Sequence, residues 1–259
     1  MKSETGGKGI SLLNFDGTLQ KQPSLRKYPY EWIDFSDLRG CHGFCAEEAM
    51  RKIQDRLKRR KHKKITLIGN GNYHYVTYAL LSEIRQPFSL ILFDHHTDLA
   101  PNEDMPYISC GSWVREALEK LPYLNRVIII GARAPDSREA SGMPANVTLI
   151  SEEEIGRLSA ADIVRAVRCL LPDQPIYISV DKDVLDRANA ATNWDQGSMK
   201  LQQLVEVIRE LKRTLAIAGV DVCGELPLSP VELLSEEQMR RVKKNEIANK
   251  AIVDALLAG

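Results

Sequence analysis

The feature that most constrains this chain is a repeating order of short, continuous apolar runs and longer amphipathic stretches. The runs cover residues 65–68, 89–93, 126–130, 147–150, 176–180 and 215–220. Runs of about five residues without polar alternation fit strands buried on both faces, which is how parallel sheets are covered. Between them, amphipathic periodicity predicts helices over 46–60, 75–84, 112–120, 159–170 and 200–212, and a last one over 235–257. Strands alternating with helices predict a three-layer α/β/α architecture around a mostly parallel central sheet. No linker, repeat or low-complexity tract divides residues 1–259, so one domain is expected.

Charge narrows the partners. Lys plus Arg number 35 and Asp plus Glu number 35, so no long-range field favours nucleic acid or an anionic membrane. A small, specific partner is expected instead. The five cysteines (Cys41, Cys45, Cys110, Cys169, Cys223) are scattered, and no apolar leader or bilayer-length run is present, which predicts a cytoplasmic chain with free thiols. Cys41, His42 and Cys45 invite a structural zinc, but no second Cys or His pair has a usable spacing. The basic stretch 56–64 closes a predicted helix and reads as a solvated, cationic last turn. The segment from Asn14 to Leu19 resembles the D-x-D-G-T loop of haloacid-dehalogenase-type phosphatases, yet Asn14 stands where their nucleophilic aspartate would be. Asp16 and Gly17 are therefore expected simply to turn the chain after a first strand.

Chemistry concentrates at three strand ends. The run 89–93 leads into Asp94, His95, His96, Thr97 and Asp98, and an extended backbone there projects Asp94, His96 and Asp98 to one side. The run 176–180 leads into Asp181, Lys182 and Asp183, with both carboxylates on one side and Lys182 opposite. His74 follows the run 65–68. Open α/β sheets place their sites beyond the carboxyl ends of strands. Taken singly, Asp94 or Asp181 reads equally well as the cap of a following helix, and His74 as an ordinary core histidine. Together, buried carboxylates at strand ends raise each other's pKa or stay un-ionised unless a cation sits between them, and two such clusters suggest more than one cation. Asp94, Asp98, Asp181 and Asp183 balance two divalent ions, and imidazoles complete the shells. Oxygen and nitrogen donors without thiolate suit manganese, magnesium, iron(II), nickel or zinc. Two such ions about 3.5 Å apart hold a shared water as hydroxide against an electrophilic carbon.

With these residues in view, the chain resembles the arginase, agmatinase and formimidoylglutamase family of ureohydrolases, as a divergent member. Their motifs G-G-D-H, D-A-H-x-D and S-x-D-x-D-x-x-D-P are met by 71–74, 94–98 and 179–186. The resemblance implies the arginase/deacetylase fold and two Mn2+ ions. One ion would be held by His74, Asp94, Asp98 and Asp181, the other by His96, Asp94, Asp181 and Asp183, with Asp94 and Asp181 bridging. It also implies a substrate role for Asp136, in a segment like I-G-x-R-x-x-D, and for Glu225, near the place of the family's guanidinium-binding glutamate. The family reads D-x-x-E there and this chain has one residue more, so Glu225 is expected to reach the site through a bulge. Family members are often trimers or hexamers, which makes a homo-oligomer an expectation.

The departures from the motifs bear on substrate. Tyr73 replaces the aspartate of G-G-D-H, Arg187 the proline of the third motif, and residues 192–197 the glycine-rich loop. The family's proton-transferring histidine has no counterpart, and Cys110 takes its place as the candidate shuttle. Trp194 and Trp113 are expected to line a wider, more apolar pocket. The expected activity is hydrolysis of a carbon–nitrogen bond in a guanidino or amidino substrate, small-molecule or peptide, including arginine within a peptide. Asp183 would steady the tetrahedral intermediate, and Glu225 would place the cation. Two alternatives remain: a deacetylase-like amidohydrolase using one zinc, and a non-catalytic metal-binding protein.

Overall fold

The computed structural model describes residues 9–101, 107–134, 142–229 and 231–258. Within them, eight strands form one sheet: β1 (Ile10–Asn14), β2 (Tyr30–Asp34), β4 (Ile65–Leu67), β5 (Phe88–Phe93), β7 (Leu124–Ile130), β8 (Val147–Ile150), β9 (Ile176–Asp181) and β10 (Ile217–Cys223). Their order is β2-β1-β4-β10-β9-β5-β7-β8, and every pairing is parallel. Two short strands, β3 (Phe44–Ala46) and β6 (Tyr107–Ser109), pair antiparallel apart from it.

Side chains leave the central strands on alternate faces, and each face has its own core. Ile91, Phe93, Ile176, Ile178 and Val180 pack toward α5 (Ala160–Leu170), α6 (Leu201–Thr214) and α7 (Glu236–Leu257). Leu90, Leu92, Val127 and Ile129 pack toward α1 (Glu47–Leu57), α2 (Val76–Leu81) and α3 (Trp113–Lys120). Between β8 and α5 lies a single turn, α4 (Glu152–Ile155), opened by a capping box in which Ser151 and Glu154 satisfy each other's amides. This is the three-layer α/β/α arrangement that the apolar runs predict; each of the six runs overlaps a strand, the run 215–220 starting two residues before β10 and the run 65–68 ending one past β4. β2 carries no such run. It is an edge strand whose exposure alternates from Tyr30 to Asp34, so its pattern differs from that of a strand buried on both faces.

The basic stretch after α1 is less solvated than its charge implies. Arg60 is buried, donating to Glu83 Oε1 at 2.6 Å, while Arg56 forks onto Asp37. At the first strand end, Asn14 Oδ1 accepts from the Gly17 amide and Asp16 Oδ1 from that of Thr18, the expected turn. Among the described residues, no helix is long and apolar enough to cross a membrane.

What the topology does for the site is align four carboxyl ends. β10 and β9 lie between β4 and β5, with Val222 beside Leu67, Cys223 beside Asp181 and Val180 beside Phe93. Chemistry placed just beyond these strands converges at one level.

Candidate metal centre

Each ligand arrives by a short, specific turn. After β4, Asn70 Oδ1 accepts from the Asn72 amide at 3.0 Å and starts a 3-10 turn, Gly71–Tyr73, that delivers His74. After β5 the backbone does not stay extended as the sequence reading assumed. Asp94 Oδ1 accepts from the His96 amide at 2.7 Å, and Asp98 adopts a left-handed φ of 51°. Asp181 ends β9 and caps the 3-10 turn Lys182–Val184, its Oδ1 accepting from the Asp183 amide at 3.0 Å.

All six carboxylate and imidazole side chains meet on the floor of one cavity of about 710 Å³. His74 Nδ1 stands 3.2 Å from Asp94 Oδ2, 3.2 Å from Asp98 Oδ2 and 3.6 Å from Asp181 Oδ2. His96 Nδ1 stands 2.9 Å from Asp183 Oδ2 and 3.6 Å from Asp94 Oδ1. Asp94 thus gives one oxygen to each histidine, as a bridging carboxylate must. Asp181 turns only Oδ2 to an imidazole, while its Oδ1 accepts from the Asp183 amide. Donors at right angles around a cation with bonds of about 2.1 Å lie about 3 Å apart, which is the spacing seen here.

The tautomer of His74 follows from its far side. Ser179 Oγ donates to Asp221 Oδ1 at 2.8 Å, and a hydroxyl has one proton. It must therefore accept from His74 Nε2, 3.0 Å away. With Nε2 protonated, the neutral ring turns its Nδ1 lone pair toward the three carboxylates, the orientation that a metal-binding histidine needs.

Electrostatics points the same way. Burial pushes Asp94 and Asp181 up, aided by Asp98 and Asp183 respectively, and burial with Asp94 takes Asp183 to about 6. Burial opposes charge on both imidazoles, yet Asp183 and Asp94 raise His96 to about 11, and Cys223, Asp94 and Asp98 raise His74. Carboxyls raised by burial and by one another, beside imidazoles raised by those same carboxylates, mark a site that gains from added positive charge. Divalent cations supply that charge, and a set of buried oxygen and nitrogen donors fits them.

A family model described as "Arginase family" matches residues 10–231. The chain belongs to the arginase family. An uncharacterized protein of Thermotoga maritima is 30% identical to it over 249 residues, 95% of this chain and 89% of that protein. Agmatinase of Bacillus subtilis is 26% identical over 167 residues, covering 62% of this chain and 56% of the enzyme. In fold, this arginase-family chain is similar to formimidoylglutamase from Bacillus subtilis, at TM-score 0.74 and 16% identity over 97% of this chain and 87% of that one. It is also similar to proclavaminate amidino hydrolase from Streptomyces clavuligerus, at TM-score 0.71 and 16% identity over 98% and 93%.

The remaining expected site residues of this family member divide. Trp194 lines the cavity, 44% exposed, with Nε1 donating to Asn72 Oδ1 at 3.0 Å. Cys110 also lines it, but burial, with Asp98 adding, pushes the thiol up to about 12, so it stays protonated and makes a poor shuttle. Trp113 does not line the pocket. It is fully buried behind Asp98.

Glu225 is a correction. The register irregularity of β10 lies between Ile217 and Gly219, and pairing is regular from there to Cys223, so no bulge at the strand end carries Glu225 into the cavity. Its carboxylate is buried instead against Lys182, with Gln22 Nε2 at 2.7 Å and Asn249 Nδ2 at 2.6 Å. Asp136 lies outside the described residues.

Sequence reasoning passed over Cys223 and Asp221. Both carry a signal in retrospect: they sit two apart on a strand that ends beside Asp181, and period two sends both toward the site.

Proposed function

We propose that this chain is a hydrolase that cleaves a carbon–nitrogen bond of a guanidino or amidino substrate at two divalent cations. The observation that carries the reading is Asp94, buried between His74 and His96 with one oxygen toward each. His74, Asp94, Asp98 and Asp181 would hold one ion and His96, Asp94, Asp181 and Asp183 the other, with manganese expected from the family. Asp181 would need a modest turn of its carboxylate to bridge as Asp94 does. When bound, the ions supply Lewis acidity and bring the pKa of water toward neutrality.

The chain's own groups do the rest. Asp183 Oδ1 is fixed by the His95 amide at 3.0 Å, which leaves Oδ2 at the cavity floor. There it accepts a proton or hydrogen bond from the substrate as its planar carbon becomes tetrahedral. The Trp194 ring stands 6.0 Å from that of His96 and offers an aromatic face to a planar cation. This contact takes over part of the work that Glu225, turned away, cannot do. Asp136 is retained as the proposed contact for the substrate's amino group. A cavity of about 710 Å³ is larger than a lone guanidinium group needs and supports an arginine derivative, including a peptidyl one.

The test is a screen of purified, manganese-loaded protein for urea, ammonia or amine release from guanidines, amidines and acylated amines, with metal content measured on the same sample. Two ions per chain and release from a guanidine or amidine support the proposal. One ion per chain with release only from acylated amines would replace it with the deacetylase-like alternative, and silence across all three classes would favour a binding role.

A further inference from the structure

β10 brings one more donor to the metal centre. Cys223 is 1% exposed, and its Sγ lies 3.1 Å from Asp181 Oδ2. Ligand atoms of His74, Asp181 and Cys223 all lie within 4.8 Å of one another, as do those of His74, Asp94 and Asp98. The group around the other histidine, Asp94, His96 and Asp183, contains no sulfur.

We propose that Cys223 is a sulfur ligand to the cation at His74, so that the two metal positions of this chain differ in kind. The inference rests on the dinuclear reading above. Three features carry it. The thiol faces a buried imidazole nitrogen and a buried carboxylate, so it is not in the apolar setting of an inert core cysteine. His74 and Asp181, the two residues it groups with, are both donors proposed for that same cation. The strand register, with Cys223 opposite Asp181, fixes the sulfur at the height of the other ligands.

On coordination the S–H bond breaks, a sulfur–metal bond forms and the proton leaves to water. Thiolate favours softer ions than carboxylate does. The position beside β10 therefore prefers zinc, cobalt or iron(II) over manganese, while the position at His96 and Asp183 keeps the harder preference. A mixed-metal centre follows, with the softer ion at His74.

Cobalt(II) reads this directly, because a cobalt–thiolate bond gives a near-ultraviolet charge-transfer band. The full chain loaded with cobalt is expected to bind two ions and show the band. Cys223→Ser should lose the band and bind one ion about tenfold more weakly, while Cys110→Ser retains the band. Two bound cobalt ions without the band in the wild type overturn sulfur ligation and leave the dinuclear reading standing; no bound cobalt overturns both. Should Cys223→Ser fail to fold, cadmium NMR of the wild-type protein decides: one resonance shifted by sulfur and one in the oxygen and nitrogen range support the proposal, and two in the latter range overturn it.

Discussion

Trp113 donates its indole N–H to Asp98 Oδ2 across 2.6 Å, while its ring lies tilted against His74 with centroids 4.9 Å apart. One buried side chain thus orients two candidate ligands. Asp98 needs the help, since a non-glycine residue at a φ of 51° pays a conformational cost that its surroundings must offset. Trp113→Phe keeps most of the packing and removes the donor. Metal affinity is expected to fall about 10- to 100-fold with a small change in melting temperature, read by chelator competition and calorimetry. An unchanged affinity would refute the orienting role.

Asp94 and Asp183 should differ in metal stoichiometry. Asp94 serves both histidines, so Asp94→Asn is expected to bind fewer than one ion per chain. Asp183 serves only His96, so Asp183→Asn should retain the ion at His74. Metal analysis of the two purified variants checks this; equal loss in both would show that the positions are not separable.

Glu225 is expected to matter for stability rather than for substrate. Its pairing with Lys182 is buried, and Glu225→Gln leaves an ammonium without its counter-charge. A loss of about 3 kcal/mol is expected by denaturant unfolding, with KM of the folded fraction within about twofold. A large KM change at unaltered stability would restore Glu225 to the substrate site.

A pH effect is expected far from the candidate metal centre, at Glu31. Burial pushes its carboxyl up, but the His62 and Lys61 amides and the Ser11 hydroxyl outweigh that and leave it below its ordinary range. A folded pKa below the unfolded one adds stability that is present above the unfolded value and lost as pH falls through the folded value. Glu31→Gln should therefore destabilise only modestly at neutral pH, by about 1 kcal/mol or less once solvent screening is counted, and the gap to wild type should close toward acid. Melting curves of both proteins between neutral and acid pH check it.

Where the sequence was legible, a single physical rule governed it. Strands such as β5 and β9 are buried on both faces, which leaves an uninterrupted apolar run, and the amphipathic helices between them keep their period. His74, Asp94, His96, Asp98, Asp181 and Asp183 were readable because each follows such a run closely. β2, β3 and β6 were not, since an edge strand and a short ribbon have no apolar run to show. Glu225 misled because spacing alone does not say which way a chain turns after a strand. Cys223 was hidden because a thiol just past an apolar run looks like core until the neighbouring strand is known to end in Asp181.

Just past Cys223, Gly224 has a φ of +89°, and a Cβ there would lie 2.4 Å from Asp181 Oδ1 and 2.7 Å from the Lys182 nitrogen. No side chain, acidic or otherwise, fits at this place without moving the end of β9 and the metal floor with it. The floor is thereby closed to variation, and selectivity has to be written in the surrounding loops. Substrate preference and metal affinity become separable properties: exchanging the walls that carry Cys110 and Trp194 for those of a relative should change substrate preference without disturbing the proposed ion site beneath.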